Sequence, residues 1–393
     1  MNGILDWAMV AGSALGAGAW IVYRAKAHTD PLFGWLYLTL YLIHLVMGIY
    51  FFDYITRNGG DSISYWQLPG YSEQGFAGWI AYYEYGSSFV QTVNAPFVWA
   101  GVGYLGGTAL YNLLSFVGIG LIYEKTNKLM SQNRGGSSLH LLFSLLVCLS
   151  PGLHFWTGGI SKESLLIVAL GLVYWYSDRT DPKSLLLAFL GFFLALQSRV
   201  VVGLVLAIPF LILVLANRET SRRLRLAICG LTGLMLMQGL VFLQRALFGE
   251  DEINLQTIGE VSEQQLGFLE GFGANSQINV TGMGFFERLS AILLRPFPWE
   301  AVDSHSLVYS LENAFLILVI FLGGYYLLKD KRMIPLLLLA FFATSLMMIV
   351  IYAFTLNNYG IVYRMKSIFL PFLSLPFIWA TCIGIGDSRK FSV

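Results

Sequence analysis

VVVGLVLAIPFLILVLANRETSRRLRLAICGLTGLMLMQGLVF, residues 200–242, is the stretch on which the fold turns. Two apolar runs, 200–216 and 226–242, flank a turn carrying Arg218, Arg222, Arg223 and Arg225. A helix needs about 20 apolar residues to cross roughly 30 Å of hydrocarbon. Each run approaches that length, and the turn between them is too short for a domain. Lysine and arginine accumulate on the cytoplasmic side of short loops, so the pair reads as a membrane hairpin with its tip inside.

The same pattern extends along the chain. Further apolar segments lie at 4–23, 33–52, 97–123, 139–155, 162–176, 184–197, 307–328, 333–354 and 365–385. The expected fold is therefore a single all-α polytopic membrane domain over 1–393, with about eleven transmembrane helices. Segments 162–176 and 184–197 are short but come as a pair, so a broken or re-entrant form of both leaves later orientation unchanged. Composition agrees: 56% of the 393 residues are hydrophobic and 12% charged, against roughly 25% charged in a soluble domain. A net charge of +1 without a basic tract gives no support to a nucleic-acid partner. Cys148, Cys229 and Cys382 lie far apart in apolar runs and read as small core residues. Segment 4–23 runs into Arg24 and Lys26 without a small-residue cleavage site, so it reads as a retained first span.

With the N-terminus outside and the C-terminus cytoplasmic, every inner loop holds at least two basic residues. These are Arg24 and Lys26; Lys125, Lys128 and Arg134; Arg179 and Lys183; the four arginines above; Lys329, Lys331 and Arg332; and Arg389 and Lys390. Together they make up sixteen of the 24 lysines and arginines. Two long polar segments, 53–95 and 249–306, then fall outside. Short inner loops, with no P-loop or dinucleotide fingerprint, exclude a cytoplasmic nucleotide-driven domain. No repeat of the kind that marks many transporters is visible.

The remaining cations crowd the outer ends of helices. Lys162 opens a helix in Gly158-Gly159-Ile160-Ser161-Lys162-Glu163-Ser164, where Ser161 suits the cap and a lysine opposes the helix dipole. Arg199 sits in the turn Gln197-Ser198-Arg199; Arg295 precedes Pro296; Arg364 and Lys366 open the last span. Snorkelling to headgroups accounts for any one of them. As a set, they suit a shared anionic ligand gathered in one outer hollow, because arginine holds phosphate bidentately. Asp53 ends the second span, and Asp61 follows Asn58-Gly59-Gly60, where the glycines permit a sharp turn and Ser62 and Ser64 are placed to orient the carboxylate. A carboxylate at a low-dielectric boundary can serve as a general base. Glu300 follows Arg295-Pro296-Phe297-Pro298-Trp299, and Glu312-Asn313 at a span start points to a cavity.

The first outer segment is rich in rings (Tyr54, Tyr65, Trp66, Tyr71, Phe76, Trp79, Tyr82, Tyr83, Tyr85), which fits an interfacial belt and a sugar-stacking surface alike. Residues 285–295 read as an interfacial amphipathic helix, 250–270 as a solvated or mobile loop, and Asn279-Val280-Thr281 as a sequon. His154 is read both as a site member and as a structural histidine. No HExxH or CxxC occurs, so no protein-bound zinc and no cofactor is expected, although a divalent cation is compatible with the acids.

The Gly60-Asp61-Ser62-Ile63-Ser64-Tyr65-Trp66 turn, the Ser161-Lys162-Glu163 helix start and Tyr363-Arg364-Met365-Lys366 together resemble bacterial exopolysaccharide and O-antigen polymerases. Asp61 with Tyr65, and Arg199 with Arg364, are the matching positions. A weaker likeness extends to polyprenol-dependent multi-span glycosyltransferases of the GT-C type, whose first outer acid acts as base. Here that acid follows the second span, which fits the polymerases better. The resemblance implies glycosyl transfer at the outer face of a bacterial inner membrane, with a polyprenyl-diphosphate-linked glycan, membrane lipid and other polysaccharide-assembly proteins as partners. It points to Asp61 or Asp53 as the base. Asp61, then Asp53, is read in the catalytic role, and Lys162, Arg199, Arg295, Arg364, Lys366, Glu300 and His154 are read as substrate contacts. The alternatives are a transporter or flippase for an anionic lipid-linked sugar, a GT-C-type transferase using a polyprenyl-phosphate sugar, and an assembly scaffold for a polysaccharide machine.

Overall fold

A computed structural model describes residues 3–67, 75–131, 138–249, 254–270, 278, 282–331 and 333–388. Arg134, Arg332, Arg389, Lys390, Tyr71 and the sequon Asn279-Val280-Thr281 lie outside them. Every regular element among the described residues is helical. Six helices are long and apolar enough to cross a membrane: α1 (Ile4–Ala25), α2 (Pro31–Asn58), α6 (Tyr104–Ser131), α12 (Arg222–Phe248), α15 (Ser304–Asp330) and α16 (Leu336–Thr355). A seventh is the pair α17 (Tyr359–Ser367) and α18 (Leu370–Ser388), bent by 56° at the break. The chain is thus a multi-pass membrane protein. Exposed Leu15, Val46, Leu234, Met237 and Phe321 confirm lipid as the surrounding medium, because such a surface would associate in water.

Shorter helices fill the intervals: α3 (Asp61–Trp66), α4 (Gly75–Ala81), α5 (Ser87–Trp99), α7 (Leu139–Cys148), α8 (Pro151–Trp156), α9 (Lys162–Tyr176), α10 (Pro182–Ser198), α11 (Val200–Ala216), α13 (Leu255–Glu270) and α14 (Phe285–Leu294). The expected continuous segment 139–155 is broken between α7 and α8. Pro151 cannot donate to the preceding turn, and Ser150 starts a new helix by accepting the Leu153 N–H at 3.0 Å. Asp30, Ser161, Asp181, Ser221 and Asp303 cap α2, α9, α10, α12 and α15 through their side chains, with proline following two of them. The loop expected at 250–270 is instead largely α13. Leu266 and Leu269 are buried at helical spacing, and Asn357 donates to the Leu266 carbonyl at 3.0 Å.

The chain divides into two units, Met1–Gly203 and Leu204–Val393. In unit 1, α1, α6 and α9 run in the same direction. At one end the buried Asp6 accepts N–H groups of Gly103 at 2.7 Å and Gly106 at 3.0 Å, which ties the start of α1 to the start of α6. At the other, Arg24 bonds Glu124 (Nε–Oε1 2.7 Å) and Lys125 bonds Asp178 (2.7 Å). Midway, Gly118 of α6 and Gly171 of α9 let the two backbones touch, the small-residue packing typical of membrane helices. His44 of α2 and His154 of α8 meet there through Nδ1 atoms 3.0 Å apart, with His44 Nε2 3.1 Å from the Asn112 carbonyl. Basic residues expected inside and outside thus segregate to the two ends of one bundle.

In unit 2, α15 and α18 run in the same direction. Gly323 fits against Phe377 and Gly384 against Tyr326, while α16 passes antiparallel to α18. Helix α14 lies on α16 with Phe285 stacked on Phe354, 5.9 Å between centroids. Its Ala291 and Ile292 are buried, while Phe285 and Phe286, expected on the same apolar face as Ile292, are exposed.

Candidate functional site

In unit 1, the sequence between α2 and α6 folds into a ledge over the α9 and α10 ends. Gly59 and Gly60, with φ of 76° and 143°, turn the chain so that Asp61 opens α3. A six-residue helix is too short to stand alone, and α3 is held from all sides. Ser62 Oγ pairs with Tyr104 Oη at 2.8 Å, Gln91 donates to the Ser64 carbonyl at 2.8 Å, and Asn94 donates to that of Tyr65 at 2.9 Å. Trp66 donates to the Val102 carbonyl at 3.2 Å while its ring fills the notch over Gly107. The Ser64 hydroxyl donates to the Asp61 main-chain oxygen. The two serine hydroxyls thus help hold the helix. Asp61 and Tyr65, four residues apart, share a face of α3.

Lys162 meets this ledge. Its ammonium lies 5.7 Å from the Tyr65 ring centroid and beside Gly86, whose N–H donates to the Gln197 carbonyl at 2.8 Å. Tyr83 donates to Gln197 Oε1 at 2.5 Å. Burial holds the Tyr83 and Tyr85 hydroxyls above the ordinary phenol range, so both are neutral hydrogen-bonding groups at physiological pH. Glu163, fully buried, bonds the Arg199 guanidinium. The Arg199 Nε is buried without a hydrogen-bond partner among the described residues. Lys162, Arg199, Tyr65 and Asp61 are thus carried on one end of unit 1. Asp53 bonds Arg57 at 2.8 Å on an exposed face, a pair of small energetic weight. His154 is fully buried against His44, removed from any surface.

Unit 2 builds its own polar cluster. Arg295 Nε bonds both Glu300 oxygens at 2.9 and 3.1 Å, and Glu300 also accepts the Phe297 N–H at 2.9 Å. Arg295 holds the Glu300 carboxyl below its usual range. This pair is intact at neutral pH and is lost as pH falls through that lowered value. Asp303 caps α15. Tyr363 stacks between Tyr309 (3.9 Å) and Tyr359 (5.8 Å) just before Arg364.

Lys366 is buried, and its ammonium donates to the carbonyls of Ile292 (3.1 Å) and Leu293 (3.0 Å) and to Asn313 Oδ1 (2.8 Å). Three donors meet three oxygens, so its capacity is filled. Asn313 in turn donates to the Pro296 carbonyl at 3.1 Å, which is the polar surrounding expected for a span-start Asn. Lys366→Met is expected to destabilise the protein by about 3 kcal/mol, because the last turn of α14 loses its cap and buried oxygens are stranded. Thermal unfolding of the detergent-solubilised chain checks this, and an unchanged midpoint would remove the pinning role.

The chain matches no protein-family model, no curated protein and no solved structure. Sequence reading missed Gln197, Tyr83, Asn94 and Gln91 as builders of the ledge. Their one visible signal was an amide or hydroxyl standing at a span end beside residues already singled out.

Proposed function

We propose that this chain is a glycosyltransferase of the polysaccharide-polymerase type, acting on polyprenyl-diphosphate-linked glycans at the outer face of a bacterial inner membrane. The observation that carries the reading is the ledge of unit 1, where Tyr65 of α3 meets Lys162 and Asp61 stands exposed at the start of the same helix. In this reading the chain crosses the membrane eleven times with its N-terminus outside, α7 with α8 and α17 with α18 each counting once.

Asp61 takes the proton of an acceptor hydroxyl as its oxygen attacks the anomeric carbon. The bond from that carbon to the diphosphate oxygen breaks, and Lys162 and Arg199 stabilise the charge left on the diphosphate. The exposed ring of Tyr83 offers stacking surface to the sugar. Arg295 and Arg364 belong to unit 2 and are given no part in this step. Lys366 and His154 are left out of the substrate set, the first because its donors are filled and the second because it is enclosed.

Asp61→Asn is expected to shorten surface glycan to single repeat units, a loss of about a hundredfold or more in rate. Membrane insertion and thermal stability should be unchanged. Gel analysis of glycan length in the native host reads this, and full-length polymer with that variant rejects the assignment.

The enclosed His44–His154 pair favours a second reading, a flippase for an anionic lipid-linked sugar, since ionisable groups at mid-depth suit a transport path. Translocation of a labelled lipid-linked sugar by reconstituted vesicles, without glycan lengthening, would select it.

A further inference from the structure

At the opposite end of unit 1, residues of α1, α6 and α9 surround a cleft of about 910 Å³. The cleft is far from the ledge along α6. Tyr104 bonds Ser62 at one end, and Lys128 borders the cleft 24 residues later, about 36 Å at 1.5 Å per residue. We propose that this cleft is a separate binding site for a phosphate-bearing anion.

The charge balance of the cleft points to an anion. Arg24, Lys26, Lys128 and Arg179 border it against two carboxylates, Glu124 and Asp30. Both carboxylates are already engaged. Glu124 bonds Arg24 through Nε at 2.7 and 2.9 Å, and Asp30 accepts Ser138 Oγ at 2.7 Å and the Leu32 N–H at 2.9 Å. Asp178, the next carboxylate along, bonds Lys125. Among the described residues, the exposed Lys26 and Lys128 form no ion pair with an acid. Burial chiefly, with Arg24 and His140 beside it, pushes the His28 imidazole below its ordinary range.

The guanidinium groups are also held in place before any ligand arrives. Arg24 lies 5.0 Å from the Trp175 ring centroid and 5.2 Å from that of Trp20, and Arg179 lies 4.8 Å from Trp175. Stacked arginines lose little freedom on meeting phosphate oxygens. Phe33 and Leu141 add apolar wall. The volume falls in the range of small-molecule sites, and an apolar hollow with a few converging charges is their usual make-up. A lipid headgroup and a free phosphate both supply the required chemistry.

The test uses the full chain in detergent. Native mass spectrometry follows retention of phosphatidylglycerol against phosphatidylcholine, with millimolar inorganic phosphate as competitor. The expected result is preferential retention of phosphatidylglycerol, or a thermal shift with inorganic phosphate. Either should weaken about fivefold for each lysine removed in Lys26→Gln and in Lys26→Gln with Lys128→Gln. Both lysines are exposed, so these variants should elute and unfold like the wild type. Loss of retained phosphatidylglycerol on adding phosphate identifies a free phosphate as a ligand, whereas indifference identifies the lipid. Asp61→Asn should bind as the wild type does, which separates this site from the proposed reaction. Equal retention of the two lipids with no phosphate effect, or unweakened binding in the double variant, overturns the proposal.

Discussion

Gly118→Val and Gly171→Val are each expected to keep the chain from accumulating as a stable folded protein. A Cβ on Gly118 would lie 2.6 Å from the Ile167 carbonyl oxygen and 2.8 Å from Val168 Cα. One on Gly171 would lie 2.5 Å from the Gly118 oxygen. These neighbours are backbone atoms of a facing helix and cannot rotate away. The two helices must separate, and with them the interface that also carries Lys125–Asp178 and the Thr126–Tyr174 contact. Overpacking usually costs about 1–3 kcal/mol, and backbone against backbone belongs at or beyond the upper end. Against a total stability of about 5–15 kcal/mol that is a large loss. Gly12→Ala and Gly18→Ala are the controls, since nothing lies within 4 Å of their added methyl groups. They should be neutral or gain up to about 1 kcal/mol of helix propensity. Fluorescence-detected size exclusion after heating ranks all four, and similar midpoints across the set would refute the close crossing.

Glu163→Gln is expected to harm stability more than the same change combined with Arg199→Gln. The Glu163 side chain is fully enclosed and that of Arg199 is 21% exposed. Removing the acid alone leaves a guanidinium in a poorly solvated place, where its Nε already lacks a partner. Breaking such a pair from one side costs about 3–5 kcal/mol, and the partial exposure of Arg199 argues for the lower figure. Removing both charges approaches neutrality. Thermal midpoints of the two single variants and the double variant form a cycle, and simple additivity would show that the pair carries no coupling. The same cycle separates folding from chemistry. Under the proposed reading Arg199 touches the leaving diphosphate, so the double variant should be stable yet still fail to lengthen glycan.

The sequence made the apolar lengths and the sorting of cations legible, because both are properties of single segments. Arg24, Lys125 and Arg179 fall at one end of unit 1, and Lys162 and Arg199 at the other. Breaks inside apolar runs were harder to see. Pro151 and Pro371 announce them, but hydropathy over a window hides a proline among leucines. Helix α13 was misread because its Glu and Gln residues outweighed the spacing of Ile258, Leu266 and Leu269. Partnerships across helices left no local trace. Asp6 with Gly103, Arg24 with Glu124 and His44 with His154 are each separated by about a hundred residues, and the pairing is fixed by which helices become neighbours. That is also why the Lys366 ammonium, read as a ligand contact, turns out to be occupied by Asn313 and the end of α14.

Helix α3 has a further implication. Its carbonyls and rings are tied to α5, α6 and the Val102 turn at folding, so the surface bearing Asp61 needs no ordering when a ligand lands on it. Association there should carry a small conformational-entropy penalty and little slow adjustment. Ligand choice would then follow from the shape of a fixed floor.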